Sequence, residues 1–172
     1  MKQDMVMDSN KQPSLFPLDK EAVRLYREYY VNRDFFKKMD KLVESGLLVL
    51  GDDGNFNLKL DTQDNIIKFI KIWFGLKLDL SAIFLYHAIQ RAKLYLDLGK
   101  EPFFNGDRLW YFLEKDYILK PKHKYNATEE LISKGLIKRF DNQYKNYILN
   151  TANKDLMFFI DYLYQHYFKD LF

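Results

Sequence analysis

Apolar residues recur at spacings of three and four along most of the chain and alternate only in two short stretches, so helices should dominate and strands should come as hairpins. In "DKEAVRLYREYYV", residues 19 to 31, Val23, Tyr26 and Tyr30 form one helical stripe. Asn32 is placed to cap "RDFFKKMDKLVESG", whose Phe35, Met39, Leu42 and Val43 share a face and whose Gly46 supplies the stop. "LLVLGDDGNFNL" then predicts two short strands around an Asp53-Gly54-Asn55 turn. Helices are expected over residues 62 to 76 and 80 to 98, the second starting near Ser81. "EPFF" reads as a short extended piece, followed by a helix capped by Asn105. Asn105-Gly106 would also suit a hairpin turn, but Leu109, Phe112 and Leu113 follow at helical spacing and do not alternate.

The last helix, from about Asn153, is aromatic nearly all round. Met157, Phe158, Ile160, Leu163, Tyr164, Tyr167, Phe168 and Leu171 cannot lie on one stripe. Part of that surface is expected to pack on the first copy or on a second chain, which would make a homodimer.

A shift of 89 residues, Gly46 to Gly135, lays "LVESGLLVLGDDGNFNLKL" on "LISKGLIKRFDNQYKNYIL" without a gap. Leu42 falls on Leu131, Leu47 on Leu136, Asp52 on Asp141, Asn57 on Asn146 and Leu60 on Leu149. The match runs on into the next helix, where Ile67, Ile70 and Trp73 meet Leu156, Phe159 and Tyr162. The order helix, glycine, hairpin, helix is thus used twice, which predicts two copies of one unit. The expected division is a flexible tail over 1 to 17, a degenerate first unit over 18 to 78, a second unit over 79 to 152 and a terminal packing or dimerisation helix over 153 to 172.

Composition narrows the chemistry. A chain of 172 residues with 48% hydrophobic and 17% aromatic content can bury a full core, as one body or as two small ones. Without cysteine it has neither disulfides nor thiolates, and zinc would have to rely on His and carboxylates. His87, His123 and His166 stand in no metal-ligand spacing, and His87, among Ile83, Phe84 and Leu94, reads as a helix residue at the edge of the core. No phosphate-cradling glycine loop, nucleophile elbow or paired-histidine helix occurs, so no enzyme, cofactor or metal is expected. The opening residues lack the apolar segment of a signal peptide, and no apolar run is long enough for a bilayer, which predicts a cytoplasmic protein.

Charge separates the two copies. Residues 115 to 145 hold eight Lys or Arg against four acids, a balance of +4, while the whole chain carries +3. The first-copy stretch 32 to 60 holds five of each. The excess positive charge therefore sits on the second copy, as polyanion binding requires. The first copy has an acidic hairpin tip, Asp52-Asp53, and apolar Val49 and Leu50 where the second has Lys138 and Arg139; it is expected to be structural, with both apolar residues packed.

Residues 80 to 150 resemble the winged helix-turn-helix DNA-binding family. "LSAIFLYHAIQRAKLY" looks like its first helix, "GDRLWYFLEKD" its second, "ATEELISKG" the end of its recognition helix and "GLIKR" the start of its wing, with "PFF" as the third strand of the sheet. The pattern Leu-x-x-x-Gly-Leu-Ile-x-Arg, Leu131 to Arg139, is the most specific part. Leu131 and Ile132 would pack the recognition helix on the core, Gly135 would reverse the chain, and Leu136 would turn inward while Lys138 and Arg139 open a basic ribbon. Family members place aliphatic residues where this chain has Lys124 and Thr128. The recognition helix can thus start late, with Asn126 as cap and Glu129 reaching back to it, or early, with Pro121 in its first turn.

The resemblance implies an α+β, helix-dominated fold of two winged-helix-like units, each with a β-hairpin wing. It also implies a non-enzymatic protein that binds double-stranded DNA, with segment 120 to 134 in the major groove and wing 138 to 145 along the backbone or minor groove. The residues placed to contact DNA are Lys120, Lys122, His123, Lys124, Tyr125, Asn126, Lys138, Arg139, Gln143 and Lys145. His123, among lysines, could contact a phosphate. A tandem arrangement with "LDLSAIFLYHAI" at its second opening looks like plasmid and phage replication initiators as well as bacterial transcription regulators. The alternative is a protein-protein adaptor that uses its aromatic surface and binds no nucleic acid.

Overall fold

The computed structural model describes residues 33–52, 56–140 and 146–166. The expected helix over 19 to 31, the cap Asn32, the Asp53-Gly54-Asn55 turn and the chain beyond His166 lie outside them. The described elements are α1 (Arg33–Glu44), β1 (Leu48–Leu50), β2 (Phe56–Leu58), α2 (Gln63–Trp73), α3 (Asp79–Asp97), β3 (Phe103–Asn105), α4 (Gly106–Leu113), α5 (Pro121–Ser133), β4 (Ile137–Arg139), β5 (Asn146–Leu149) and α6 (Lys154–His166). The fold is α+β and helix-dominated, with two small antiparallel sheets. Two compact units divide after Asn65, inside α2, ahead of the 78/79 boundary expected from the repeat. Among the described residues no helix is long and apolar enough to cross a membrane.

In the first unit α1 buries Met39 and Leu42, one helical step apart, and leaves Val43 half-exposed at 50%. Val43 is expected on the buried face; it lies at the edge of that stripe, about 40° beyond Met39 on the side away from Leu42, and is left half-exposed. Gly46 stops α1 at φ 80°, a conformation that favours glycine. The chain then enters β1, paired antiparallel with β2 in the register Leu48 to Leu58 and Leu50 to Phe56. Leu47, Leu48 and Leu60 are buried, but Val49 is 48% exposed. The expectation that Val49 is packed is therefore corrected: it follows a buried strand residue and must point to the opposite face.

The second unit is organised around α3, which buries Ser81, Ala82, Phe84, Leu85, Tyr86, Ala88, Ile89 and Ala92. Its small residues let neighbouring elements approach. Its start differs from the expected one, because the cap position is Leu78 and Ser81 is buried a turn inside. Phe84 stacks on Trp110 of α4 with ring centroids 4.3 Å apart and meets Phe104 of β3 edge-on at 5.7 Å. Asn105 caps α4, its side-chain oxygen accepting from the Arg108 amide at 2.9 Å, which settles cap against hairpin turn. Leu109 and Leu113 face inward, whereas Phe112 is 38% exposed.

The three-stranded sheet has the order β3-β5-β4, with Phe104 opposite Tyr147 and Ile137 opposite Leu149. The "PFF" stretch thus supplies the third strand, one residue later than read. Asn153 caps α6 by accepting from the Leu156 amide at 3.1 Å. Leu156, Phe159, Ile160 and Leu163 are buried on one stripe. Phe159 stacks on Phe69 at 5.1 Å and meets Phe74 edge-on at 5.9 Å, while the Tyr164 hydroxyl donates to the Ile89 carbonyl at 2.8 Å. Burial, followed by the charges of Asp97 and Asp161, pushes that phenol well above its usual range. This stripe is therefore satisfied inside the second unit.

The helix stops at Gly46 and Gly135 share one hydrogen-bond pattern, which the stops at Gly75 and Gly99 also show, so it is a general glycine helix ending and not a mark of the repeat. Ser45, Gly46 and Leu47 donate to the carbonyls of Lys41, Val43 and Leu42; Lys134, Gly135 and Leu136 donate to those of Glu130, Ile132 and Leu131. Every one of these six pairs obeys the 89-residue shift, and Gly135 has φ 72° beside the 80° of Gly46. The hairpins then part company. Leu48 pairs with Leu58, but its counterpart Ile137 pairs with Leu149 and not with Tyr147. The gap-free alignment therefore hides a slip of two residues, which keeps each side chain on its own face because strand geometry repeats every two.

Candidate nucleic-acid interface

α5 starts early. Lys120 occupies the cap position without a side-chain hydrogen bond and Pro121 follows in the first turn, where a missing N–H costs nothing. Asn126 as cap is thereby excluded. The helix buries Ala127, Thr128 and Leu131. Thr128 fits this face because its hydroxyl donates to the carbonyls of Lys124 and Tyr125, at 3.2 and 3.0 Å, and leaves its methyl group for packing. On the other side Lys122, Tyr125, Asn126 and Ser133 are exposed and Glu129 half-buried, at spacings of three and four, so they form one solvent-facing stripe.

Two contacts hold α5 against α3. The Ser81 hydroxyl lies 3.4 Å from the Ala127 carbonyl and shares its one proton between that oxygen and the Glu130 carboxylate. The Glu130 carboxylate accepts from the amides of Lys77 at 2.7 Å and Leu78 at 3.2 Å, satisfying donors at the start of α3. Burial pushes the Glu130 carboxyl up, but hydrogen bonds from Ser81, Lys77 and Leu78 and the charge of Lys134 outweigh it, so its pKa lies below the ordinary glutamate value. Sequence reading missed this clamp, since nothing local ties Glu130 to a helix start 52 residues earlier.

The ten residues expected at DNA are placed as follows. Lys120, Lys122, His123, Tyr125 and Asn126 are exposed on the first half of α5 or at its cap. Lys124 is half-buried and ion-paired with Glu114, just past α4. Lys138 is exposed on β4, across the pair from Ile148. Arg139 is exposed at the end of β4, and its guanidinium donates to Glu129 of α5. Gln143 and Lys145 lie outside the described residues. The fold thus brings Lys122, Tyr125, Asn126 and Glu129 onto one stripe, joins it to β4 through Arg139, and turns Lys124 away toward α4.

Among the described residues no three His, Asp or Glu side chains are grouped to hold a metal ion. His87 is half-buried against Phe112, with ring centroids 5.7 Å apart. Burial is the main cause that lowers its pKa. No protein-family model, curated protein or solved structure matches this chain.

Proposed function

We propose that the second unit is a winged helix-turn-helix module that binds double-stranded DNA without catalysis. The observation that supports this most is the exposed stripe of α5, basic at Lys122 and polar at Tyr125 and Asn126, joined by the Arg139–Glu129 contact to a wing strand that presents Lys138. The order α3, β3, α4, α5, β4, β5, with β3 pairing onto the hairpin, is the one the resemblance calls for. In this reading α5 enters the major groove, Tyr125 and Asn126 face base edges, and Lys120, Lys122 and Lys138 neutralise phosphates. The role is that of a cytoplasmic transcription regulator or replication initiator. Among the described residues of α6, Phe158, 45% exposed, is the large apolar side chain available to a homodimer, since the buried stripe is used internally.

A titration of the full chain with random duplex DNA at several salt concentrations tests the reading. Binding with a dissociation constant of about 10⁻⁴ to 10⁻⁶ M at physiological salt, weakening steeply as salt rises, is the expected result. A folded protein with no salt-dependent affinity for duplexes overturns it and leaves the protein-protein adaptor.

A further inference from the structure

A cleft of about 460 Å³ opens in the second unit between α3, α5 and the connector before α5. Its size falls within the range of small-molecule sites. α3 and the residue before it contribute Leu78, Leu80 and Ile83, and the connector contributes Tyr117, Ile118 and Leu119. Ile118 is 95% exposed and Leu78 38%, so the fold leaves apolar surface uncovered at this cleft.

The polar groups here include three that can serve as donors. The Tyr117 hydroxyl, the His123 imidazole and the Asn126 amide, which all line the cleft, can each donate a hydrogen bond. Asp79 also lines it, but its carboxylate is held by the Lys71 ammonium at 2.6 Å. Lys120 and Lys122, the sequence neighbours of Leu119 and His123, are exposed and join no ion pair among the described residues. Apolar walls, donors and two cations that neighbour lining residues in sequence complement a molecule with an apolar body and an anionic head.

We infer that this cleft binds a small amphipathic anion, an aromatic or branched aliphatic body carrying one carboxylate or sulfonate. The body lies against Leu78, Ile83 and Ile118. The head lies toward His123, Lys120 and Lys122. Asn126 belongs both to the cleft and to the exposed stripe of α5, so an occupant alters the face offered to DNA. That coupling, unlike the site itself, rests on the DNA-binding reading.

The full chain, without DNA, is titrated with two fluorescent probes that share one body: anilinonaphthalene sulfonate, which is anionic, and phenylnaphthylamine, which is neutral. One saturable site with tighter binding of the sulfonate is expected. Leu78→Ser with Ile118→Ser, both at exposed positions, keeps the unfolding temperature and weakens both probes about tenfold or more. Lys120→Gln with Lys122→Gln weakens the sulfonate alone. Binding that does not saturate at one site, or that ignores the Leu78 and Ile118 changes, overturns the site; equal affinity for the two probes, or a sulfonate indifferent to the lysine changes, overturns the anionic head. In a second titration, duplex affinity is measured with the sulfonate saturating. A shift supports the coupling, and an unchanged affinity overturns the coupling while leaving the site. A protein that binds the probe but no duplex overturns the DNA reading, and the coupling with it, and leaves the site standing.

Discussion

Arg139, at the end of β4, donates a charge-assisted hydrogen bond to Glu129 in the middle of the exposed stripe of α5. The contact ties β4 to α5 and places a negative charge on the face proposed to meet phosphate. It also engages one of the cations expected to neutralise that phosphate. Glu129→Gln removes the charge and releases the guanidinium. Duplex affinity is expected to rise about fivefold, the equivalent of about 1 kcal/mol. The salt dependence should steepen by about 0.9, one additional phosphate contact. Unchanged affinity and slope in duplex titrations would remove this face from the interface.

Lys122 and Lys124, two residues apart on α5, should separate in function. Lys122 is exposed on the stripe, whereas Lys124 is half-buried against Glu114. Lys122→Ala is expected to weaken binding to all duplexes alike and to flatten the salt slope by about 0.9. Lys124→Ala should leave the slope alone and cost up to about 1 kcal/mol of stability, as partly exposed ion pairs do. Equal effects of the two on the slope would mean that Lys124 leaves Glu114 for a phosphate.

The Glu130 clamp has a pH signature. Its folded pKa is depressed relative to the unfolded chain, so the contribution to stability is present above the unfolded value and is lost as pH falls through the folded one. The loss begins below about pH 4.3. Glu130→Ala, which leaves the Lys77 and Leu78 amides without this acceptor, should cost about 0.5 to 2 kcal/mol at neutral pH, in the manner of a lost helix cap. Thermal unfolding of both proteins from pH 7 to pH 3 checks it: the difference between them should shrink toward the acid end.

Local chemistry in this chain was legible where it is set by neighbours in sequence. Gly46 and Gly135 end helices because positive φ is needed there, and Asn105 and Asn153 cap helices three residues ahead of the amides they accept. What sequence could not supply is pairing across distance. The partners of Arg139, Lys124 and Glu130 lie 10, 10 and 52 or more residues away, and a basic run looks the same whether its members face solvent or an acid. The start of α5 was open for a related reason. Lys124 and Thr128 spoil the apolar pattern, and only the hydrogen bonds of the Thr128 hydroxyl to its own helix make it a core residue.

The sharpest test compares equivalent positions in the two copies. Lys138 and Arg139 correspond to Val49 and Leu50 by the shift of 89 residues. Lys138→Glu with Arg139→Glu reverses both cations on the wing strand and sets a second acid beside Glu129, so duplex binding should be lost while both side chains, being exposed, leave the fold intact. Val49 is 48% exposed, and Val49→Glu should change neither DNA affinity nor unfolding temperature. A stability effect in the first copy belongs instead to Leu42, fully buried, where Leu42→Ala should cost about 2 to 5 kcal/mol. Thermal unfolding and duplex affinity of all three variants decide the matter. Loss of DNA binding in a folded Val49→Glu protein, with the wing variant unaffected, would assign the interface to the first copy and reverse the roles derived from charge.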